Sequence, residues 1–123
     1  FVLDFDELKK LIDNPDANRD WKNHLSSING IYMILDTFTG NQYIGSAYGS
    51  KGIWQRWTDY SKSKHGGNKK LIQLCKNDTN YHKNFQYTIL QSLPSNLSKK
   101  EVIKIENLYK VKFGTKSHGL NEN

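Results

Sequence analysis

Strand-forming sequence is scarce in this chain, and that scarcity limits what it can fold into. Residues 31–35 form a compact apolar run, and residues 42–45 follow through Thr37-Phe38-Thr39-Gly40-Asn41, a connection suited to a hairpin turn. Residues 85–90 supply a third segment, with Phe85, Tyr87 and Ile89 on one side and Pro94 as the break beyond it. A sheet this small cannot bury itself, so helices must cover at least one of its faces. The expected class is α+β, with a small central three-stranded, mainly antiparallel sheet flanked by helices.

Helical segments stand where such a sheet needs them. Residues 4–12 have Asp4 as N-cap, Glu7 as its capping-box partner and Leu8, Leu11 and Ile12 as an apolar face, and Asn14-Pro15-Asp16 stops them. Residues 16–29 place Trp21 and Leu25 four apart, on one covering face. A helix around residues 53–61 carries Trp54, Trp57 and Tyr60 among Arg56, Lys62 and Lys64, and His65-Gly66-Gly67 ends it. Asn68 reads as the cap of a further helix through Leu71, Ile72, Leu74 and Cys75. Ser98 and Glu101 form a second capping box, opening a helix through Val102, Ile105, Glu106, Leu108 and Tyr109. Residues 1–29 are expected to form an N-terminal helical cap, packed as one unit with residues 30–123.

A chain of 123 residues holds one domain, which excludes a multidomain enzyme or a large barrel. No apolar run approaches the roughly 20 residues that cross a bilayer, and no signal-peptide pattern is present, so no membrane association and a cytoplasmic location are expected. The single cysteine, Cys75, cannot form an internal disulfide or a cysteine-rich metal cage, which fits a reducing compartment. A formal charge of +6 favours an anionic partner, though charge alone is a weak argument for nucleic acid. The start at Phe1 leaves room for an additional specificity domain upstream.

Gly30-Ile31-Tyr32 is followed eleven residues later, tyrosine to tyrosine, by Tyr43-Ile44-Gly45. Strand alternation puts Tyr32 with Ile34 and Tyr43 with Gly45, so a hairpin can bring both hydroxyls to one surface, and Gly45 would let a backbone or phosphate approach closely. On the residues alone, such a pair reads more readily as aromatic packing than as a site. Arg56 and Tyr60 share a helix face, either as part of a site or as a partly buried arginine stacked near Trp57. Glu106 emerges beside the inward face made by Val102, Ile103 and Tyr109, where an unpaired carboxylate is costly. Mg²⁺ coordination would explain it, and so would a salt bridge to Arg56 or a lysine.

Taken together, these residues resemble the GIY-YIG nuclease family, over residues 30–121. The resemblance implies that residues 30–123 are a catalytic domain for metal-dependent cleavage of phosphodiester bonds in DNA, with Mg²⁺ as cofactor and Mn²⁺ as a substitute. It implies that Tyr32 orients or deprotonates water, that Tyr43 holds the site together and contacts phosphate, and that Tyr60 assists proton transfer or aligns the water. Arg56 would neutralise nonbridging phosphate oxygens, and Glu106 would bind the metal. Asn121, in Gly119-Leu120-Asn121, corresponds to the asparagine of a glycine-tyrosine-asparagine motif, with Leu120 in place of tyrosine. It is expected to brace the site, with DNA contact or a terminal turn cap as alternatives. Gly45 and His65 are the other supporting candidates.

Two departures from the family pattern affect substrate approach. The excision-repair branch carries a lysine three residues after the second motif's tyrosine, where this chain has Ser46, so a nearby cation must come from elsewhere, with Lys51 and Lys69 as candidates. The connection through residues 47–52 also looks longer than in short family members. His65 suits either phosphate contact or turn chemistry, while His82 and His118 are isolated, and no zinc constellation emerges. Lys51, Lys62, Lys64, Lys69 and Lys70 are candidate contacts to DNA phosphates. The competing reading is a catalytically weak or inactive DNA-binding or repair-associated module on the same scaffold. Nothing in the residues separates restriction from repair or fixes an oligomeric state.

Overall fold

Alternation along the first strand of the hairpin decides the layering. In the computed structural model, which describes residues 1–122, this strand is β2 (Asn29–Asp36), paired antiparallel with β3 (Gln42–Ala47) on one side and β4 (Phe85–Leu93) on the other. Tyr32 and Ile34 point to one face and Ile31 and Met33 to the other, and both faces are covered. The Tyr32 face packs against residues of α1 (Phe5–Asp13), α2 (Arg19–Ser27), α3 (Gly52–Ser63) and α4 (Lys69–Asn77), with Leu8, Leu25, Trp57, Tyr60 and Leu71 fully buried. The Ile31 face packs against Val102, Ile105 and Tyr109 of α5 (Lys99–Phe113), which is followed by the short α6 (Thr115–His118). Both capping boxes form as expected, Asp4 with Glu7 at the head of α1 and Ser98 with Glu101 at the head of α5.

The sheet has four strands, not three. The additional one, β1 (Leu3–Asp4), pairs with Tyr87 and Gln86, giving the order β1-β4-β2-β3. Two residues are too few to carry a period, so this strand leaves no pattern in the sequence. β4 also runs to Leu93 and not to residue 90. Ile31 faces Gln91 while Tyr32 faces Ile89, so Leu90 is the extra residue of a bulge. That bulge breaks the alternation at the point where the pattern read from sequence stops. Asn29, placed with the N-terminal cap by sequence, opens β2.

β3 lies at the edge of the sheet, and its outward backbone groups need partners. The C-terminal segment supplies some of them. Leu120 N donates to Gln42 O at 2.9 Å, and the Asn121 amide meets Ile44 twice, accepting from its N–H at 2.8 Å and donating to its C=O at 2.9 Å. Asn121 is 1% exposed, so these bonds are shielded from water. Gly119 permits the close approach, because a Cβ there would lie 2.7 Å from the Gln42 carbonyl oxygen. No helix among the described residues is long and apolar enough to cross a membrane.

Candidate active site

An edge strand can show side chains of both its faces to one cavity, and β3 does so. Tyr43 reaches a cleft of about 690 Å³ from the Tyr32 face, and Ser46 reaches it from the α5 face. Arg56 of α3, Asn68 at the head of α4, and Glu106 and Lys110 of α5 also line it. The structure thus brings Tyr43, Arg56 and Glu106 together in the cleft, with Tyr32 and Tyr60 fully buried beside them.

The hydroxyls form a chain. Tyr43 Oη donates to Asn68 Oδ1 at 2.8 Å, Asn68 Nδ2 donates to Tyr60 Oη at 2.7 Å, and Tyr60 Oη lies 3.0 Å from Tyr32 Oη. Asn68 was expected to cap α4. It occupies the N-cap position, but its side chain makes no capping bond and joins two site tyrosines instead. An asparagine before a helix looks like a cap in sequence, so only the fold reveals this second use.

Burial raises the pKa of all three tyrosines above the ordinary phenol value. The nearby Arg56 guanidinium opposes the rise without cancelling it, so the hydroxyls keep their protons at neutral pH. Arg56, half-buried beside them, stays charged, because a guanidinium does not give up its proton in a protein. Its Nε is buried with no hydrogen-bond partner among the described residues.

Gly45 plays a different part from the one expected. It sits opposite Tyr32 in the ladder, and a Cβ there would lie 2.3 Å from Tyr32 Cζ and 2.4 Å from its hydroxyl oxygen. The missing side chain makes room for the Tyr32 ring, not for a backbone or a phosphate. Gly45→Ala should therefore lower stability by about 1–3 kcal/mol through overpacking, read by thermal denaturation. An unchanged melting temperature would show that the ring has room to move.

Glu106 is engaged at both oxygens. Ser46 Oγ donates to Oε1 at 2.5 Å, and Lys110 Nζ pairs with Oε2 at 2.8 Å. The two ion-paired side chains are only 7% (Lys110) and 15% (Glu106) exposed, so this pair is far less screened than a surface one. The cation near Ser46 is therefore Lys110, one helical turn beyond Glu106, and not Lys51 or Lys69. The sequence reading offered a lysine as an ion-pair partner for Glu106 without naming which, because a lysine within a charged helix reads as solvated. Lys116, also unnamed in that reading, lines the same cleft.

The other candidates stand apart from this lining. His65 Nδ1 accepts from Gly67 N at 2.9 Å, a turn role, and His65 does not line the cleft. Lys64 donates to Thr79 O, Lys70 donates to the carbonyls of Lys116 and Gly119, and Lys69 pairs with Glu122. Lys51 and Lys62 are exposed and lie outside the cleft lining. Lys69 lines a recess that shares Tyr43 and Asn68 with the cleft.

Among the described residues no three His, Cys, Asp or Glu side chains converge on a point that could hold a metal ion. A single cleft carboxylate does not make a protein cage. It does fit a hard divalent cation whose remaining ligands are waters and substrate phosphate oxygens, the usual arrangement for Mg²⁺.

Two solved structures are similar to this chain. The catalytic domain of the homing endonuclease I-TevI is 29% identical, with a TM-score of 0.56, over 76% of this chain and 96% of that one. A glutamate-to-alanine mutant of the catalytic domain of intron endonuclease I-TevI is 27% identical, with a TM-score of 0.60, over 78% of this chain and 94% of that one. No family model matches the chain, and no curated protein does. The chain has the GIY-YIG fold, as an α+β structure whose antiparallel sheet is flanked by helices.

Proposed function

We propose that this GIY-YIG-fold chain is a metal-dependent DNA endonuclease that hydrolyses phosphodiester bonds, with Mg²⁺ as its cofactor and Mn²⁺ as a substitute. The observation that carries this reading is the meeting of Tyr43, Arg56 and Glu106 in one open cleft at the edge of β3. Hydrolysis of a phosphodiester needs a positioned water, compensation of charge on the phosphoryl group and stabilisation of the leaving oxygen.

Each of these residues has a task that follows from its surroundings. Arg56 presents a permanently charged guanidinium to the nonbridging oxygens. Tyr43, half-buried and lining the cleft, offers its hydroxyl to the phosphate or the attacking water. Tyr32 and Tyr60 lie behind it and act as protonated hydrogen-bonding groups that position Tyr43 and Arg56, because burial disfavours the phenolate a general base would need. Glu106 holds the cation, which when bound supplies positive charge to the scissile phosphate and the leaving O3′. Asn121 supports the site through the backbone of Ile44, between Tyr43 and the Gly45-Ser46 pair.

Arg56→Lys should lower kcat by about 10²-fold with little change in melting temperature, since a point charge cannot reproduce the planar fork. Unchanged turnover would remove Arg56 from the reaction. The function itself is tested by incubating wild type, Glu106→Gln and Tyr32→Phe with linear, branched and single-stranded DNA, with and without Mg²⁺. Cleavage by wild type only when Mg²⁺ is present, lost in Glu106→Gln, is the expected result.

One observation favours the second reading, a DNA-binding or repair-associated module with weak or absent hydrolysis. Lys110 already compensates the charge of Glu106, the carboxylate that would draw a cation into the cleft. DNA binding by all three proteins without cleavage by wild type would establish that module and overturn the enzyme.

A further inference from the structure

A divalent cation on Glu106 would stand within a few ångströms of the Lys110 ammonium, where two positive charges repel each other. Oε1 already accepts the Ser46 hydroxyl, and Oε2 lies 2.8 Å from Lys110 Nζ. The two charged residues stand four apart on α5, with the glutamate N-terminal to the lysine, the better orientation for such a pair along a helix. Both are nearly buried, so their attraction is stronger than that of an exposed helix pair. Lys110, Ser46 and Arg56 line one cleft, which places the pair at the reacting centre and not behind it.

We propose that Lys110 is a built-in competitor for the cation: the ammonium repels a metal ion at Glu106, and Lys110 thereby sets the cation concentration at which the site fills. The inference rests on the reading of Glu106 as the cation ligand. Apparent affinity falls in proportion to the fraction of molecules whose binding-competent state is populated. A pair open in about one molecule in ten weakens cation binding about tenfold. The lysine also keeps the carboxylate compensated while no cation is bound, which a nearly buried charge requires.

The test uses the whole chain and Mn²⁺ alone, followed by paramagnetic broadening of amide resonances around Glu106. Lys110→Met should fill at about tenfold lower Mn²⁺ than wild type. Lys110→Arg, which keeps a charged partner for Glu106, should fill no earlier than wild type. Lys116→Met removes a positive charge from the same cleft without removing the ion pair, and its midpoint should move much less than that of Lys110→Met. Equal midpoints for wild type and Lys110→Met, or an equally large shift in Lys116→Met, would overturn the competition while leaving Glu106 as ligand. Glu106→Gln should abolish the local broadening. Absence of broadening around Glu106 in every protein would overturn both the competition and the metal reading. Should Lys110→Met fail to fold, wild type decides alone. In a Mg²⁺ titration the Lys110 ammonium resonance should change with the filling of the site, and a resonance unmoved at saturation would refute the displacement.

Discussion

Glu106→Gln should abolish Mg²⁺-dependent cleavage, by about 10³-fold or more, while DNA binding should persist. The figure follows from losing several kcal/mol of charge stabilisation at the transferring phosphoryl group. Glutamine keeps the size of the side chain and can still accept from the Ser46 hydroxyl, so the helix and the cleft keep their shape. What it loses is the charge that holds a cation and, without one, holds Lys110. The substitution also removes the ion pair between two nearly buried side chains, Glu106 and Lys110, which changes stability as well. Melting curves therefore accompany the cleavage assay. A folded Glu106→Gln protein that cuts at the wild-type rate would remove the carboxylate from the mechanism.

Asn121→Ala acts on the same strand, at Ile44 of β3, and should strike folding first. It strips both partners from the buried Ile44 backbone, an N–H and a C=O that no solvent reaches. Each unmet buried group costs about 1–3 kcal/mol, so the variant should lose about 2–5 kcal/mol. That is a large part of the 5–15 kcal/mol typical of a small domain, and the melting temperature should fall by on the order of 10 °C or more. Activity should fall with it, because Tyr43 and Ser46 flank this stretch of β3. A melting temperature within a degree or two of wild type would mean that the edge of β3 is held by other bonds.

The two capping boxes, the hairpin and the tyrosine pair were legible because each depends on neighbours close along the chain. Asp4 meets Glu7 and Ser98 meets Glu101 within a single helical turn. Alternation over a few residues puts Tyr32 and Ile34 on one face, and the ladder pairs them with Gly45 and Tyr43. Where a local rule was interrupted, the reading stopped early. The bulge at Leu90 shortened the apparent third strand, and β1 was too short to show a period.

The site divides along the same line. The residue types that resemble a nuclease motif stand in the sequence at recognisable spacings, and with them the α+β class. Which atoms those residues touch was decided only by the tertiary structure. Ser46 and Glu106 are 60 positions apart, and Tyr43 and Asn68 are 25 apart, so no periodicity links them. Lys110 is four residues from Glu106 and its pairing is a local matter, yet its burial is not. Packing α5 against β3 turns an ordinary helix pair into a desolvated one. Propensity, caps and alternation act through short-range geometry and are written in the chain, whereas burial and the partners of Glu106 and Tyr43 arise only when distant segments close on the free edge of β3.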